Sequence, residues 1–125
     1  MKQPLEVVGI TMQVRAGDLD AARGWYSALL GRPPDEEPSA SLAEWEILPN
    51  CWLQLAEGAP APGNGPLHLG VADIEMERER LQQALKVAVS PIERIEGEVA
   101  WCNFEDPFGN RLGFFQDLAD VTVLA

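Results

Sequence analysis

Residues 106–116 read Asp-Pro-Phe-Gly-Asn-Arg-Leu-Gly-Phe-Phe-Gln, a tight turn that is followed by an apolar strand. Pro107 fixes φ, while Gly109 and Asn110 tolerate the positive φ that a narrow connection between two strands requires. The sequence therefore predicts a strand that begins at about Asn110 and runs to Gln116.

The rest of the second half is organised around that strand. Asp73 is a good N-cap, and the residues after it have helical spacing. Alternation of apolar and polar residues predicts the strands, and Glu96-Gly97 separates the last two that precede residue 106. In chain order, the predicted elements are strand 66–72, a helix from Asp73 to about Leu85, and strands 87–95 and 98–104.

The first half shows the same order of elements. Asp18 is the expected N-cap of a helix over 19–30, and Gly31 supplies its C-terminal stop. Residues 33–41 are rich in proline and acid, which predicts a loop or at most a frayed edge strand. The predicted strands are 5–14, 42–48 and 51–56, with a hairpin turn at Pro49-Asn50.

The chain thus reads β-α-β-β-β twice, and residues 58–65, rich in proline, glycine and alanine, form the linker. An internal duplication at this spacing is more specific than any single motif. We therefore expect a single α+β domain over residues 1–125, made of two modules at about 1–57 and 66–120.

Composition limits the function. The 125 residues include 20 acidic and 9 basic side chains, for a net charge of −11. Such a charge disfavours nucleic acid and anionic membrane surfaces as partners. The N-terminal residues lack the apolar core of a signal peptide, so we expect a cytoplasmic protein. Cys51 and Cys102 have no C-x-x-C spacing and are expected to be free, buried thiols.

Three segments resemble one known superfamily. Residues 14–31 read VRAGDLDAARGWYSALLG, residues 45–55 read WEILPNCWLQL, and residues 106–116 form the third segment. In order and spacing they resemble the vicinal oxygen chelate superfamily, which comprises the glyoxalase, bleomycin-resistance and extradiol-dioxygenase proteins. The resemblance implies two βαβββ modules that form a cupped mixed sheet, with helices outside, a ligand cleft on the concave face and a homodimer.

The sequence departs from this superfamily at the metal site. Metal-dependent members carry His, Gln or Glu on the first strand of each half and Glu on the last strand of each half. Three of those positions fall at Gly9, Pro66 and Gly113, which have no donor atoms, whereas metals need converging His, carboxylate or thiolate ligands. The fourth would lie on the strand around residues 51–56, and one ligand cannot hold a catalytic metal. We therefore expect no metal and no other cofactor. A divalent-metal lyase or dioxygenase stays possible if this register is wrong.

Alternation along the strands also predicts which side chains face the cleft. Residues an even number of positions from the three empty ligand positions share their face, so Thr11, Gln13, His68, Arg111 and Phe115 are predicted to face the cleft. The register that the resemblance implies adds aromatic and polar residues of the remaining strands. Three of the four tryptophans would then line one surface, which suits a flat, apolar ligand. The residues added by the resemblance are Trp45, Ile47, Trp52, Gln54, Trp101 and Asn103.

These features predict a metal-free protein that binds a small aromatic or hydrophobic, possibly cationic, molecule in a Trp-lined cleft, as bleomycin-resistance proteins do. One alternative is a cofactor-free lyase or isomerase that uses His68, the only histidine, or a carboxylate as its base. Another is a scaffold whose tryptophan surface is a dimer contact or core.

Overall fold

A computed structural model describes residues 5–60 and 67–119. The chain divides into two compact units, Met1–Pro60 and Ala61–Ala125. The linker residues 61–66, with the predicted metal position Pro66, lie outside the described residues. No helix in the described part of the chain is long and apolar enough to cross a membrane.

The first unit contains one helix and one four-stranded sheet. Its strand order is β1-β4-β3-β2, with β1 parallel to β4 and the other neighbours antiparallel. The element bounds are β1 Ile10–Ala16, α1 Leu19–Leu30, β2 Glu36–Ser39, β3 Leu42–Leu48 and β4 Cys51–Glu57.

The second unit repeats this arrangement. Its strand order is β5-β8-β7-β6, and β5 is parallel to β8, as β1 is to β4. The predicted βαβββ repeat is therefore confirmed as the fold class, two mixed four-stranded sheets with two helices. The bounds are β5 Leu67–Gly70, α2 Ile74–Leu85, β6 Glu93–Ile95, β7 Val99–Glu105 and β8 Arg111–Asp117.

The predicted helix signals have the expected geometry. Asp18 Oδ1 accepts a hydrogen bond from the Ala21 amide at 3.1 Å, and Asp73 Oδ1 accepts one from the Met76 amide at 3.1 Å. Each bond satisfies one of the amides that lack a partner within the first turn of a helix. The two C-caps are both left-handed but differ in residue type, Gly31 after α1 and Lys86 after α2.

The turn that begins at Asp106 is also confirmed. The Asp106 carboxylate is buried and accepts hydrogen bonds from the Phe108 amide at 2.9 Å and the Asn110 amide at 2.8 Å. The Asn110 side-chain amide donates a third bond at 2.8 Å, and Gly109 has a φ of 99°. This turn therefore fixes where β7 ends and β8 begins.

Each helix covers one face of the sheet in its own unit. In the first unit, Tyr26 of α1 packs against Trp45, with ring centroids 6.4 Å apart. In the second unit, Phe104 and Phe114 pack at 5.0 Å between centroids, and Leu81 of α2 is fully buried. The other buried apolar residues of the two strand faces are Val14, Ala16, Ala43, Leu53, Leu55, Leu67, Ala100, Cys102 and Leu112.

Two predicted strands are wrong in extent. Strand 5–14 begins only at Ile10, and of strand 87–95 only Glu93–Ile95 pairs as a strand, although Val89 forms an isolated bridge to Phe104. Pro91 explains the second error, because proline has no amide hydrogen to donate to a ladder. Apolar composition alone did not reveal this interruption.

The two cysteines are both free, but only Cys102 is buried, whereas Cys51 is half-buried. The expectation of two buried thiols is therefore wrong for Cys51. Burial raises the pKa of the Cys102 thiol above its usual value, because a buried environment disfavours the thiolate.

Candidate functional site

The face of each sheet that its helix does not cover, called here the open face, carries most of the predicted ligand-binding residues. In the first unit, Thr11 and Gln13 are exposed, while Val14 and Ala16 beside them are buried against the helix side. Strand pairing places Thr11 and Gln13 next to two further predicted residues, Trp52 and Gln54.

A row of hydrogen bonds crosses three strands of the first open face. Arg15 Nε donates to Gln13 Oε1 at 3.0 Å, and Gln13 Nε2 donates to Gln54 Oε1 at 3.2 Å. Gln54 Nε2 then donates to Glu44 Oε2 at 2.6 Å. The row fixes the orientation of both glutamine amides between a cation and a carboxylate. Sequence reasoning missed the part played by Glu44, although its alternation with Trp45 was a signal for the open face.

Trp45 and Ile47 were predicted to face the ligand, and this prediction is wrong for Trp45. Its side chain is fully buried on the helix side, opposite Leu53, and its Nε1 donates to the Arg32 carbonyl at 3.0 Å. Ile47 has the same alternation as Trp45 and falls where the register between β3 and β4 shifts. Glu44 and Glu46 occupy the open face of β3, while Trp45 between them faces the helix side, since carboxylates cannot be buried cheaply.

The second open face carries a row formed by His68, Gly113 and Asn103, which lie side by side on β5, β8 and β7. His68 Nε2 and Asn103 Oδ1 are 3.1 Å apart. The backbone of Asn103 is held by Ser90. The backbone amide of Asn103 donates to Ser90 Oγ at 2.8 Å, and the backbone carbonyl of Asn103 accepts from the Ser90 amide at 2.9 Å. Sequence reasoning missed Ser90. The only signal for it was its position before Pro91, where a regular strand is interrupted.

The pair formed by His68 and Asn103 occupies the space above Gly113. A Cβ atom added at Gly113 would lie 2.3 Å from His68 Cδ2, 2.7 Å from His68 Nε2 and 2.8 Å from Asn103 Oδ1. The glycine is therefore what allows the two side chains to meet across the strand between them. A side chain at residue 113 and this hydrogen bond exclude each other.

An aromatic pair lies in the next row of the second open face. Phe115 is opposite both Gly70 and Trp101. The Phe115 ring lies over Gly70, since an added Cβ there would be 2.7 Å from Phe115 Cζ. Residues two apart on a strand are about 7 Å apart, so the aromatic row lies about 7 Å from the row of His68 and Asn103. A ligand with one aromatic ring and a polar substituent can contact both rows. Arg111, opposite Glu105, is on the same face.

Several solved structures share this architecture, although no protein-family model and no curated protein matches the sequence. A glyoxalase/bleomycin resistance protein from Catenulispora acidiphila matches with a TM-score of 0.72 and 24% identity, over 88% of this chain and 98% of that chain. The chain has the glyoxalase/bleomycin-resistance fold.

Two other structures with the glyoxalase/bleomycin-resistance fold match at lower scores. A lactoylglutathione lyase from Agrobacterium tumefaciens has a TM-score of 0.66 and 19% identity, over 91% of this chain and 96% of that chain. The fosfomycin resistance protein FosX from Listeria monocytogenes, complexed with Mn(II) and a dihydroxypropylphosphonic acid, has a TM-score of 0.66 and 17% identity, over 93% and 91%. At these identities the likeness shows the fold.

The two predicted metal positions that lie among the described residues, Gly9 and Gly113, do not fit a metal ion. Gly113 has no donor atom, and the space above it is filled by His68 and Asn103. Gly9 has no donor atom either, and an added Cβ there would lie 2.5 Å from the Asn50 side chain. Among residues 5–60 and 67–119, no group of three or more His, Cys, Asp or Glu side chains could hold a metal ion. These positions therefore support no step that passes through a metal ion.

Proposed function

We propose that this chain is a small-molecule binding protein that holds an aromatic or hydrophobic ligand on the second open face without a metal ion. The observation that carries this proposal is the polar pair of His68 and Asn103 beside the aromatic pair of Trp101 and Phe115. A flat apolar surface next to a few fixed polar groups is the usual composition of a small-molecule site.

The aromatic pair supplies binding energy. Trp101 is half-buried and Phe115 is 38% exposed, so both retain surface that a ligand ring can cover. Aromatic contacts are worth about 0.5–1.5 kcal/mol beyond the area that they bury. Phe115 is also supported from one side because its ring contacts Gly70. We expect a ring that stacks here to place its polar substituent against the pair of His68 and Asn103.

The polar pair supplies direction. Asn103 Oδ1 only accepts hydrogen bonds, so the proposed tautomer of His68 is the one that donates from Nε2 and keeps the lone pair on Nδ1. A ligand hydroxyl or amine can donate to that nitrogen. We therefore propose that the ligand carries a hydrogen-bond donor about 7 Å from the ring that contacts Trp101 and Phe115.

Charge adds a preference for cationic ligands. The net charge of −11 attracts cations toward the whole surface. Individual carboxylates of the first open face contribute less, because Glu44 and Glu46 each accept a hydrogen bond, from Gln54 and from the Asn50 amide. Sequestration of a drug or metabolite is the role proposed by analogy with the resistance proteins that share the fold.

Trp101→Ala is expected to weaken ligand binding about tenfold or more, because it removes the largest ring of the proposed site. The measurement is a calorimetric titration of metal-stripped protein with aromatic cations, neutral aromatics and aromatic acids. Trp52→Ala, on the first open face, is the matched control and should change affinity less than about twofold. Equal affinity in the Trp101 variant and the native chain would reject the site.

A second candidate function is proton abstraction from a carbon acid by His68. The hydrogen bond to Asn103 favours it, since that bond orients the imidazole and leaves Nδ1 as the base. The proton would pass from the substrate carbon to Nδ1 and back to a neighbouring carbon, which is an isomerisation. His68→Ala should lower the rate of substrate deuterium exchange about 100-fold or more, in the presence of a chelator. Exchange that persists in His68→Ala would exclude this function.

A further inference from the structure

A groove of about 620 Å³ lies in the second unit, away from the aromatic pair. One wall is the segment 85–88 that follows α2, and the other is formed by the end of β7, the turn after it and the start of β8. The volume is within the range of about 300–1,000 Å³ that small-molecule sites have. The groove is therefore large enough to hold a ligand of its own.

Four charged residues line this groove, the cations Lys86 and Arg111 and the anions Glu105 and Asp106. Asp106 lies in it but is buried, and its carboxylate already accepts three hydrogen bonds within its own turn. Glu105 lies opposite Arg111 in the strand register, so these two charges are close to each other. Lys86 is exposed, and its side chain forms no hydrogen bond or ion pair with any residue in 5–60 or 67–119. Its ammonium group is the available charge.

The backbone of Lys86 is unusual for a lysine. It has a φ of 57°, in the left-handed region, where a side chain is less favourable than in glycine. The equivalent position after α1 is occupied by Gly31, with a φ of 78°. The two helices thus end with the same backbone conformation but with different residues. The second unit has a lysine there, at a conformational cost, and this lysine lies at the rim of the groove.

We propose that this groove binds a small monocarboxylate with an apolar tail, whose carboxylate pairs with Lys86. Leu85, Val87 and Pro107 line the groove and offer apolar contacts for the tail. A single negative charge is specified because the net charge of −11 opposes the approach of more highly charged anions such as phosphate. The site is independent of the proposed aromatic site, although Asn103 borders both.

Octanoate is the probe, titrated into ¹⁵N-labelled full-length protein and followed by amide chemical shifts. We expect saturable shifts in residues 85–88, 104–106 and 111–112, with little change at Trp101 and Phe115. Lys86→Gln should weaken binding about tenfold, the value of one charge-assisted hydrogen bond. Octanol, which has the tail without the charge, should not bind saturably at these residues.

Three variants separate charge from folding. Lys86→Arg keeps the charge and should bind octanoate within about threefold of the native chain. Lys86→Gly relieves the left-handed backbone and should fold at least as stably while weakening octanoate binding about tenfold, as Lys86→Gln does. Arg94→Gln removes one positive charge from β6, where Arg94 pairs with Glu75 at 3.3 Å, and should leave binding unchanged.

Octanoate binding of equal strength in Lys86→Gln, or shifts confined to Trp101 and Phe115, would overturn the proposal. An absence of shifts up to about 20 mM octanoate, where even a millimolar site would saturate, would overturn it as well. The comparison of the Lys86 variants does not depend on the aromatic site, which is measured separately by calorimetry with ring compounds.

Discussion

Trp45→Ala is expected to lower the free energy of unfolding of the first unit by about 3–5 kcal/mol, the usual cost of removing a buried tryptophan. Trp45 has no exposed surface and packs against Tyr26 of α1. Its Nε1 also donates to the Arg32 carbonyl, so the variant leaves that acceptor without this partner. A whole domain is stable by only about 5–15 kcal/mol, so this is a large share.

The matched control is Trp52→Ala, one strand away on the opposite face of the same sheet. Trp52 is half-buried and lies opposite Glu46 on the open face. We expect this variant to change the free energy of unfolding by about 1 kcal/mol or less, because no large cavity opens in the core. The pair of variants therefore distinguishes a core tryptophan from a surface tryptophan of the same strand pair.

Urea denaturation followed by circular dichroism is the measurement, since it does not depend on the tryptophans that are removed. A midpoint lowered strongly in Trp45→Ala and only slightly in Trp52→Ala is the expected result. The reverse order would mean that β3 has the opposite orientation, and that Trp45 faces outward as the resemblance implies.

The sequence predicts well those parts of the fold that local chemistry determines. Asp18 and Asp73 are N-caps in the structure because a short acceptor side chain satisfies a free amide wherever a helix begins. The turn at residues 106–110 depends on one aspartate and its nearest neighbours. Such features need no information from distant parts of the chain.

The orientation of Trp45 could not be obtained in that way. Residues 42–48 read Leu-Ala-Glu-Trp-Glu-Ile-Leu, so apolar and acidic residues alternate, and the resemblance assigned the tryptophan to the ligand. Its actual face is decided by pairing with Leu53 and by packing against Tyr26, which are contacts between separate elements. The desolvation cost of burying Glu44 and Glu46 was the physical signal that favoured the correct face.

The candidate site also combines features that the local sequence determines with features that depend on contacts between distant strands. That Gly113 lacks a metal ligand is visible in the sequence, but what fills the space above it is not. His68 and Asn103 are 35 positions apart in the chain and meet only because β8 lies between β5 and β7. Ser90, which anchors Asn103, was not predicted, because the segment that holds it was assigned to a regular strand.

Gly113→Ala is expected to abolish the hydrogen bond between His68 and Asn103 with little change in stability. The added Cβ would lie 2.3 Å from His68 Cδ2, so the imidazole must turn away. The lost bond costs about 0.5–1.5 kcal/mol, while alanine gains about 0.5–1 kcal/mol over glycine in a strand. These effects nearly cancel in the free energy of unfolding, but the aromatic ligand should bind about tenfold more weakly.

Nitrogen NMR measures the change directly, because the chain has one histidine. The native protein should show His68 protonated at Nε2, and Gly113→Ala should show a mixture of the two neutral tautomers. An unchanged Nε2 signal together with unchanged ligand affinity would contradict the arrangement over Gly113.

A double-mutant cycle identifies the cause. In a His68→Ala background the added methyl group has no imidazole to displace and no hydrogen bond between His68 and Asn103 to break, and only the Asn103 side chain, with Oδ1 2.8 Å away, must still move. Gly113→Ala should then raise the free energy of unfolding by at most about 0.5–1 kcal/mol, the gain expected for alanine in a strand. Residues in direct contact couple by about 0.5–3 kcal/mol in such cycles. A coupling near zero would mean that the imidazole does not occupy the space above Gly113, whereas a clear coupling would show that the missing side chain at residue 113 is what allows His68 to lie there.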